Sequence, residues 1–181
     1  MPLLATTTRS FFIILLLTLT LGCSTNDWRT ASREPAGIAP DPDSTPEAVV
    51  QVYGAPVYGW RGWFAIHTWI AVKPSEAERY TVYEVIGWRL KRGLPALRIA
   101  QDYPDRYWFG EKPELLLSRK GDGVDRLIRE IDEAARNYPW ADQYTMFPGP
   151  NSNTFPSWIG EQVPDLGLKL PLKAIGQDWR E

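Results

Sequence analysis

The hydrophobic pattern of this chain changes period once, and that change limits the folds open to it. From Val49 to about Leu90 apolar residues alternate; from Val124 to Ala135 they recur at helical spacing. "AVVQVYGAP" reads as a first strand ending at Gly54 and Pro56. "WRGWFAIHTWIAVK" predicts a longer strand from about Trp63 to Lys73. Ile66, Thr68, Ile70 and Val72 share one of its faces, and Ala65, His67, Trp69 and Ala71 the other. "RYTVYEVIGWRL" predicts the next strand, Tyr80 to about Leu90, with Tyr80, Val82, Glu84, Ile86 and Trp88 on a common face. The short link through Pro74 and Ser75 makes these two strands an antiparallel pair. "LPALRIAQDYP" and "DRYWFGEKPELLLS" add one or two strands, limited by Pro104 and Pro113.

Val124, Leu127, Ile128, Ile131, Ala134 and Ala135 then place a helix, with Asp122 as its expected cap and Pro139 as its stop. Asp125–Arg129, Arg129–Glu133 and Asp132–Arg136 are expected as solvated pairs four residues apart. A second short helix is expected over about Thr154 to Gln162, and the breaker-rich tail "DLGLKLPLKAIGQDW" is expected to add a strand or wrap the core. Strands first and helices after them is an α+β order: a small antiparallel sheet packed with helices.

The N-terminal residues bear on location. Arg9 is the only charged side chain before Asp27, and an apolar run from Phe11 to Leu21 follows it. A basic start, a short apolar run and a small residue before a cut describe a secretory signal. An uncleaved signal anchor is the alternative. Gly22-Cys23 resembles a bacterial lipobox, which implies lipid on Cys23. The expected organisation is a signal peptide over 1–22, a lipidated N-terminus and disordered tether over 23–47, and one globular domain over 48–181. The expected address is the bacterial cell envelope. The chain would be lipid-anchored on the periplasmic face, at the outer membrane because Ser24 rather than Asp follows the cysteine.

Cys23 is the only cysteine, so the domain has no internal disulfide and no thiolate nucleophile. The 44% hydrophobic content and nine Trp supply a core in its place. A formal net charge of −2 gives no reason to expect nucleic acid as a partner. The expected partners are the membrane, through the lipid, and a small molecule, peptide, glycan or lipid substrate.

His67 is the only histidine. One His and no spare Cys cannot supply a zinc site, and "KGDGVD" lacks the Lys-Ser/Thr of a phosphate loop, so neither metal nor cofactor is expected. Acid–base or nucleophilic work remains. Ser152, in "FPGPNSNTF", stands before a helix, where free N–H groups suit an oxyanion. His67 can serve as its base, and Glu84 on the neighbouring strand can orient the imidazole. Asn151, Asn153, Trp69 and Tyr144 are the candidate ligand contacts of an aromatic-lined groove. Plainer roles stand beside these. His67 can be a satisfied structural residue, and Glu84 can pair with Arg89 or Arg106. Ser152, Asn153 or Thr154 can be a helix cap, and Asn151 an Asx turn.

"GWFAIHTWIAVK", "YEVIGW", "DRYWFG", "YPW" and "PGPNSNTFPSWIGEQVPDL" together resemble a bacterial domain-of-unknown-function family, number 3750, over about Val52 to Trp179. More distantly, the chain resembles circularly permuted papain-like proteins of the lecithin retinol acyltransferase and desumoylating isopeptidase groups. That likeness implies His67 in the base position, Glu84 near the polar position, and Ser152 where the family has its cysteine. It implies a hydrolase or an acyl or amide transferase. The alternative is a non-catalytic envelope protein binding a peptide, glycan or lipid in the same groove.

Overall fold

Five strands form one antiparallel sheet in the computed structural model, which describes residues 27–180. They are β1 (Val49–Pro56), β2 (Ile66–Lys73), β3 (Thr81–Val85), β4 (Leu97–Gln101) and β5 (Glu114–Lys120), in the spatial order β4-β3-β2-β1-β5. Two α-helices follow, α1 (Val124–Arg136) and α2 (Thr154–Gln162). The expected α+β class is the observed one. The expected signal segment and Cys23 lie outside the described residues. Residues 27–31 form a separate unit, a turn closed by the Thr30 and Ala31 amides on the Asp27 carbonyl.

The alternation of β1, β2 and β3 sorts their side chains onto two different cores. Val50, Val52, Ile70, Val72, Tyr83 and Val85 face the helices, meeting Leu127, Ile128 and Ile131 of α1 and Phe155 and Ile159 of α2. Tyr53, His67, Trp69, Val82 and Glu84 have the opposite parity, and all are buried. No α-helix covers that second face among the described residues. Instead the 102–111 loop and an N-terminal strap from Ser32 onward lie there. The Tyr107 amide donates to the Glu34 carbonyl, Pro35 bridges Arg106, and the Asp105 carboxylate accepts from the Ile38 and Ala39 amides. The Tyr80 hydroxyl donates to the Pro40 carbonyl.

The strap corrects the tether boundary. Residues 32–47 are polar in composition yet docked, held by backbone hydrogen bonds, the buried Asp105 carboxylate, the Tyr80 hydroxyl and the stacking of Arg33 on Phe109. Other details also differ. The strand expected from Trp63 starts at Ile66, behind a 3-10 helix at Trp60–Trp63. The strand expected to run to Leu90 ends at Val85, where a second 3-10 helix, Gly87–Arg92, takes over. Asp122 does not cap α1; Gly123, in the left-handed region at φ 79°, occupies the cap position. Of the expected helix-face pairs Asp132–Arg136 forms, and Arg126–Glu130 is added. Asp125 instead accepts from Ser75. The tail forms no strand: it wraps the core with Leu166 and Ala174 buried and Trp179 edge-on to Trp140.

Candidate active site

The β2–β3 ladder opens into a fork. Its pairs run from Val72↔Thr81 to Ile70↔Tyr83 and stop, so residues 66–69 of β2 have ladder partners on β1 only. Glu84 is the first residue beyond the last pair. From there its carboxylate reaches diagonally to His67, with Oε2 3.4 Å from Nε2. Both side chains are buried.

Two guanidiniums complete the Glu84 shell. Arg106 places Nη2 at 2.8 and 2.7 Å from the two carboxylate oxygens, and Arg98 places Nη1 at 2.8 Å. Arg98 comes from the facing position on β4. Asp102 takes a second contact from Arg98 at 2.9 Å. Two carboxylates and two guanidiniums are thus in direct contact, and the Arg33 guanidinium adds a further positive charge to the same cluster. Burial alone would push the Glu84 carboxyl up. The His67 hydrogen bond and the Arg106 and Arg98 charges outweigh it and hold the group at about 2. By distance Arg106, whose Nη2 reaches both oxygens, is a closer partner of Glu84 than His67 is.

Burial lowers the His67 pKa below its ordinary value; the Glu84 bond and charge oppose this, and Arg106 adds to it. The imidazole is therefore neutral at pH 7. An ionised carboxylate only accepts, so the single ring proton sits on Nε2 and points at Glu84. The Nδ1 lone pair is left free, and it takes no hydrogen bond among the described residues. The ring lies flat on Trp108, centroids 3.7 Å apart at 6°. Arg106 also lies near the faces of Trp69 and Trp108, and its buried Nη1 has no partner among the described residues.

The 151–154 block is tied to the two residues flanking His67. Thr68 Oγ1 donates to the Ser152 carbonyl at 3.2 Å and to Asn153 Oδ1 at 3.0 Å. Asn153 Nδ2 donates to the Ile66 carbonyl at 3.0 Å. Asn151 is the organising residue of the block. Its Oδ1 accepts from the Asn153 and Thr154 amides, and its Nδ2 donates to the Met146 and Ile175 carbonyls. Gly176 permits this packing: a Cβ there would stand 2.2 Å from Asn151 Nδ2, and its φ of +92° also favours glycine.

Capping at α2 is thus the work of Asn151, in an Asx arrangement, and not of Ser152. The Ser152 hydroxyl and its own amide N–H take no partner among the described residues, although the residue is only 6% exposed. No hydrogen bond joins that hydroxyl to His67. Thr68 and His67 point to opposite faces of β2, so an approach of Ser152 to the imidazole would pass through the fork.

A family model described as a protein of unknown function, DUF3750, matches residues 47–179. The chain belongs to the DUF3750 family. No curated protein and no solved structure matches it. The strap residues before Glu47 stand outside the matched DUF3750 region yet dock on it.

Within the DUF3750 domain the candidate residues separate by role. His67 and Glu84 are brought together, whereas Ser152, Asn151 and Asn153 gather around Thr68 and the Ile66 carbonyl, without a hydrogen bond to the pair among the described residues. Trp69 is fully buried, stacked on Tyr53, and donates Nε1–H to the Pro104 carbonyl at 2.7 Å, so it is core and presents no face to a ligand. Tyr144 packs against Gly87, where an added Cβ would lie 2.4 Å from its ring. Asn151 and Asn153 are buried and brace backbone. Sequence reasoning missed Arg98 and Trp108. Arg98 could have been found by pairing "LRIAQ" against "TVYEV", which sets it opposite Glu84. Trp108 lies on a loop, where periodicity gives no signal.

Proposed function

We propose that this DUF3750 chain is an exported, lipid-anchored envelope protein whose fork site transfers or hydrolyses an acyl or amide group on a permuted papain-like scaffold. Ser152 is the nucleophile, His67 the base and Glu84 the residue that orients the base. One observation carries the reading. Glu84 accepts from His67 Nε2 and leaves Nδ1 free to act as a base, while the strand neighbour Thr68 holds the block carrying Ser152, whose hydroxyl has no capping duty and no hydrogen-bond partner among the described residues.

The chemistry follows from those atoms. Ser152 Oγ bonds to the substrate carbonyl carbon as its proton passes to His67 Nδ1, and the carbonyl π electrons move onto oxygen. The resulting oxyanion has the Ser152 amide N–H as a donor. The Asn153 and Thr154 amides are already engaged by Asn151. Collapse expels the amine or alcohol, which leaves with the proton from Nδ1. Water, or a second acceptor, then repeats the sequence on the acyl-serine. A serine hydroxyl ionises far less readily than a thiol, so the rate depends on that one base.

A second reading is favoured by one fact: the Ser152 hydroxyl makes no hydrogen bond to His67. On it, the domain binds a peptide, glycan or lipid without turnover. A fluorophosphonate probe separates the two. Covalent label mapped to Ser152 by peptide mass spectrometry, and lost in Ser152→Ala and His67→Gln, supports the enzyme. Absence of label in a folded protein supports the binding reading. For location, Cys23→Ala is expected to leave an unlipidated precursor, and an unprocessed Met1 in the wild type would sink the lipoprotein claim.

A further inference from the structure

Three loops meet at the end of the domain where β2 begins, and each exposes large apolar side chains. The 3-10 helix Trp60–Trp63 and the next residue show Trp60 at 72%, Trp63 at 86% and Phe64 exposed. The loop before α2 shows Met146 and Phe147, the latter at 75%. The tail shows Leu172 at 95%. Hydrogen bonds join the three. Arg61 Nη1 donates to Met146 Sδ at 3.8 Å, the Ile66 amide donates to the Lys173 carbonyl, and Asn151 Nδ2 bonds both Met146 and Ile175 carbonyls.

A monomeric surface rarely gathers this many exposed aromatics, and such a patch marks an interaction site. The charges around it choose the partner. Arg61 and Lys173 are exposed in the patch, Lys169 is exposed in the tail segment that leads to it, and no Asp or Glu occurs in residues 57–73, 143–155 or 166–177. Trp and Phe at loop tips with Arg and Lys at the margin suit the interface of an anionic bilayer, where the ring enters the headgroup region and the cation meets lipid phosphate. The proposed envelope location supplies a second reason for a membrane partner: it reads the apolar run Phe11 to Leu21 and Cys23 as membrane-directed elements of the same chain.

We propose that this end of the domain docks on an anionic lipid surface, with Trp60, Trp63 and Phe147 inserted and Arg61, Lys169 and Lys173 on the phosphates. The same loops adjoin Ile66 and Asn151, so docking brings the His67–Ser152 fork to the bilayer surface. The proposal rests on the envelope location and deepens the reading of the fork: its substrate is then a membrane-resident acyl compound.

The test uses the full chain carrying Cys23→Ser, reconstituted in vesicles of phosphatidylethanolamine and phosphatidylglycerol. A bimane label is placed in turn through Trp63→Cys, Phe147→Cys and, as a control on the far helix, Glu130→Cys. Nitroxide-bearing lipid is expected to quench the first two labels and spare the third. Arg61→Glu with Lys169→Glu and Lys173→Glu is expected to abolish the quenching while the circular dichroism spectrum is retained. Equal quenching at all three positions, or none, overturns the proposal. Emission at the first two positions that changes with protein concentration in the absence of vesicles also overturns it, in favour of a second copy of the chain. Quenching does not depend on turnover, so fluorophosphonate labelling of Ser152 in the same samples separates failure of docking from failure of the enzyme reading.

Discussion

Glu84 Oε2 stands 3.4 Å from His67 Nε2 and 2.7 Å from Arg106 Nη2, so one carboxylate oxygen both orients the imidazole and neutralises a buried guanidinium. These two duties have separable consequences. Glu84→Gln keeps the shape and removes the charge that Arg106 and Arg98 require. Breaking a buried pair in this way costs about 3–5 kcal/mol, read as a loss in urea midpoint. It also removes the charge that favours imidazolium, so the His67 pKa in the variant, followed by NMR, is expected to fall further below its wild-type position.

The pH dependence of stability follows from the same pair. The folded-state pKa of His67 is depressed below its ordinary 6.5, so its contribution is complete above that pH and declines as pH falls through it. Glu84 is depressed from 4.5 to about 2, so its contribution is complete above 4.5 and is lost toward 2. Thermal melts are expected to show a decline in each window. His67→Gln should flatten the upper one and Glu84→Gln the lower.

Asp105 holds the strap. Its carboxylate accepts from the Ile38 and Ala39 amides, and hydrogen bonds to a charged group contribute about 1.5–3 kcal/mol. Asp105→Ala is expected to lower stability by about that much and to expose residues 34–44 to limited proteolysis. Deleting residues 32–43 should likewise lower the melting temperature by several degrees. An unchanged melt would show that the strap contributes nothing to the fold.

The two candidate residues of the α2 entrance should part company on mutation. Asn151→Ala removes the acceptor for the Asn153 and Thr154 amides and two donations to backbone carbonyls, at a cost of about 2 kcal/mol or more. Ser152→Ala removes no side-chain hydrogen bond among the described residues and is expected to leave stability nearly unchanged. Chemical denaturation of the two variants side by side checks the contrast.

How much of this was legible in the sequence depended on the range of each interaction. Alternation placed His67 and Glu84 on one face of neighbouring strands, and their contact is observed. Helical spacing placed α1, and the bounds expected for α2, Thr154 and Gln162, are those observed. Arg106 is an expected partner of Glu84, whereas Arg98 emerges only once β4 is set in register against β3, which composition alone does not do. The role of Asn151 was legible as an Asx turn. That Asn151, rather than Ser152, satisfies the helix amides required the backbone path through Gly176. The docking of the strap was hidden for a related reason. Its hydrogen bonds run from backbone groups to distant partners, among them Asp105 across more than sixty residues, and a polar segment held that way has the composition of a tether.

The central claim is that His67 serves as base to position 152. With Cys23→Ser in place, Ser152→Cys introduces a single thiol into the chain, and its ionisation can be followed through thiolate ultraviolet absorbance. A free thiol ionises near about 8.5, and a neighbouring imidazole that accepts its proton lowers that value. The account predicts thiolate formation well below the free value, returning to or above it when His67→Gln is added. The same titration with and without His67, at or above the free-thiol value, would contradict the account and leave the fork a binding site.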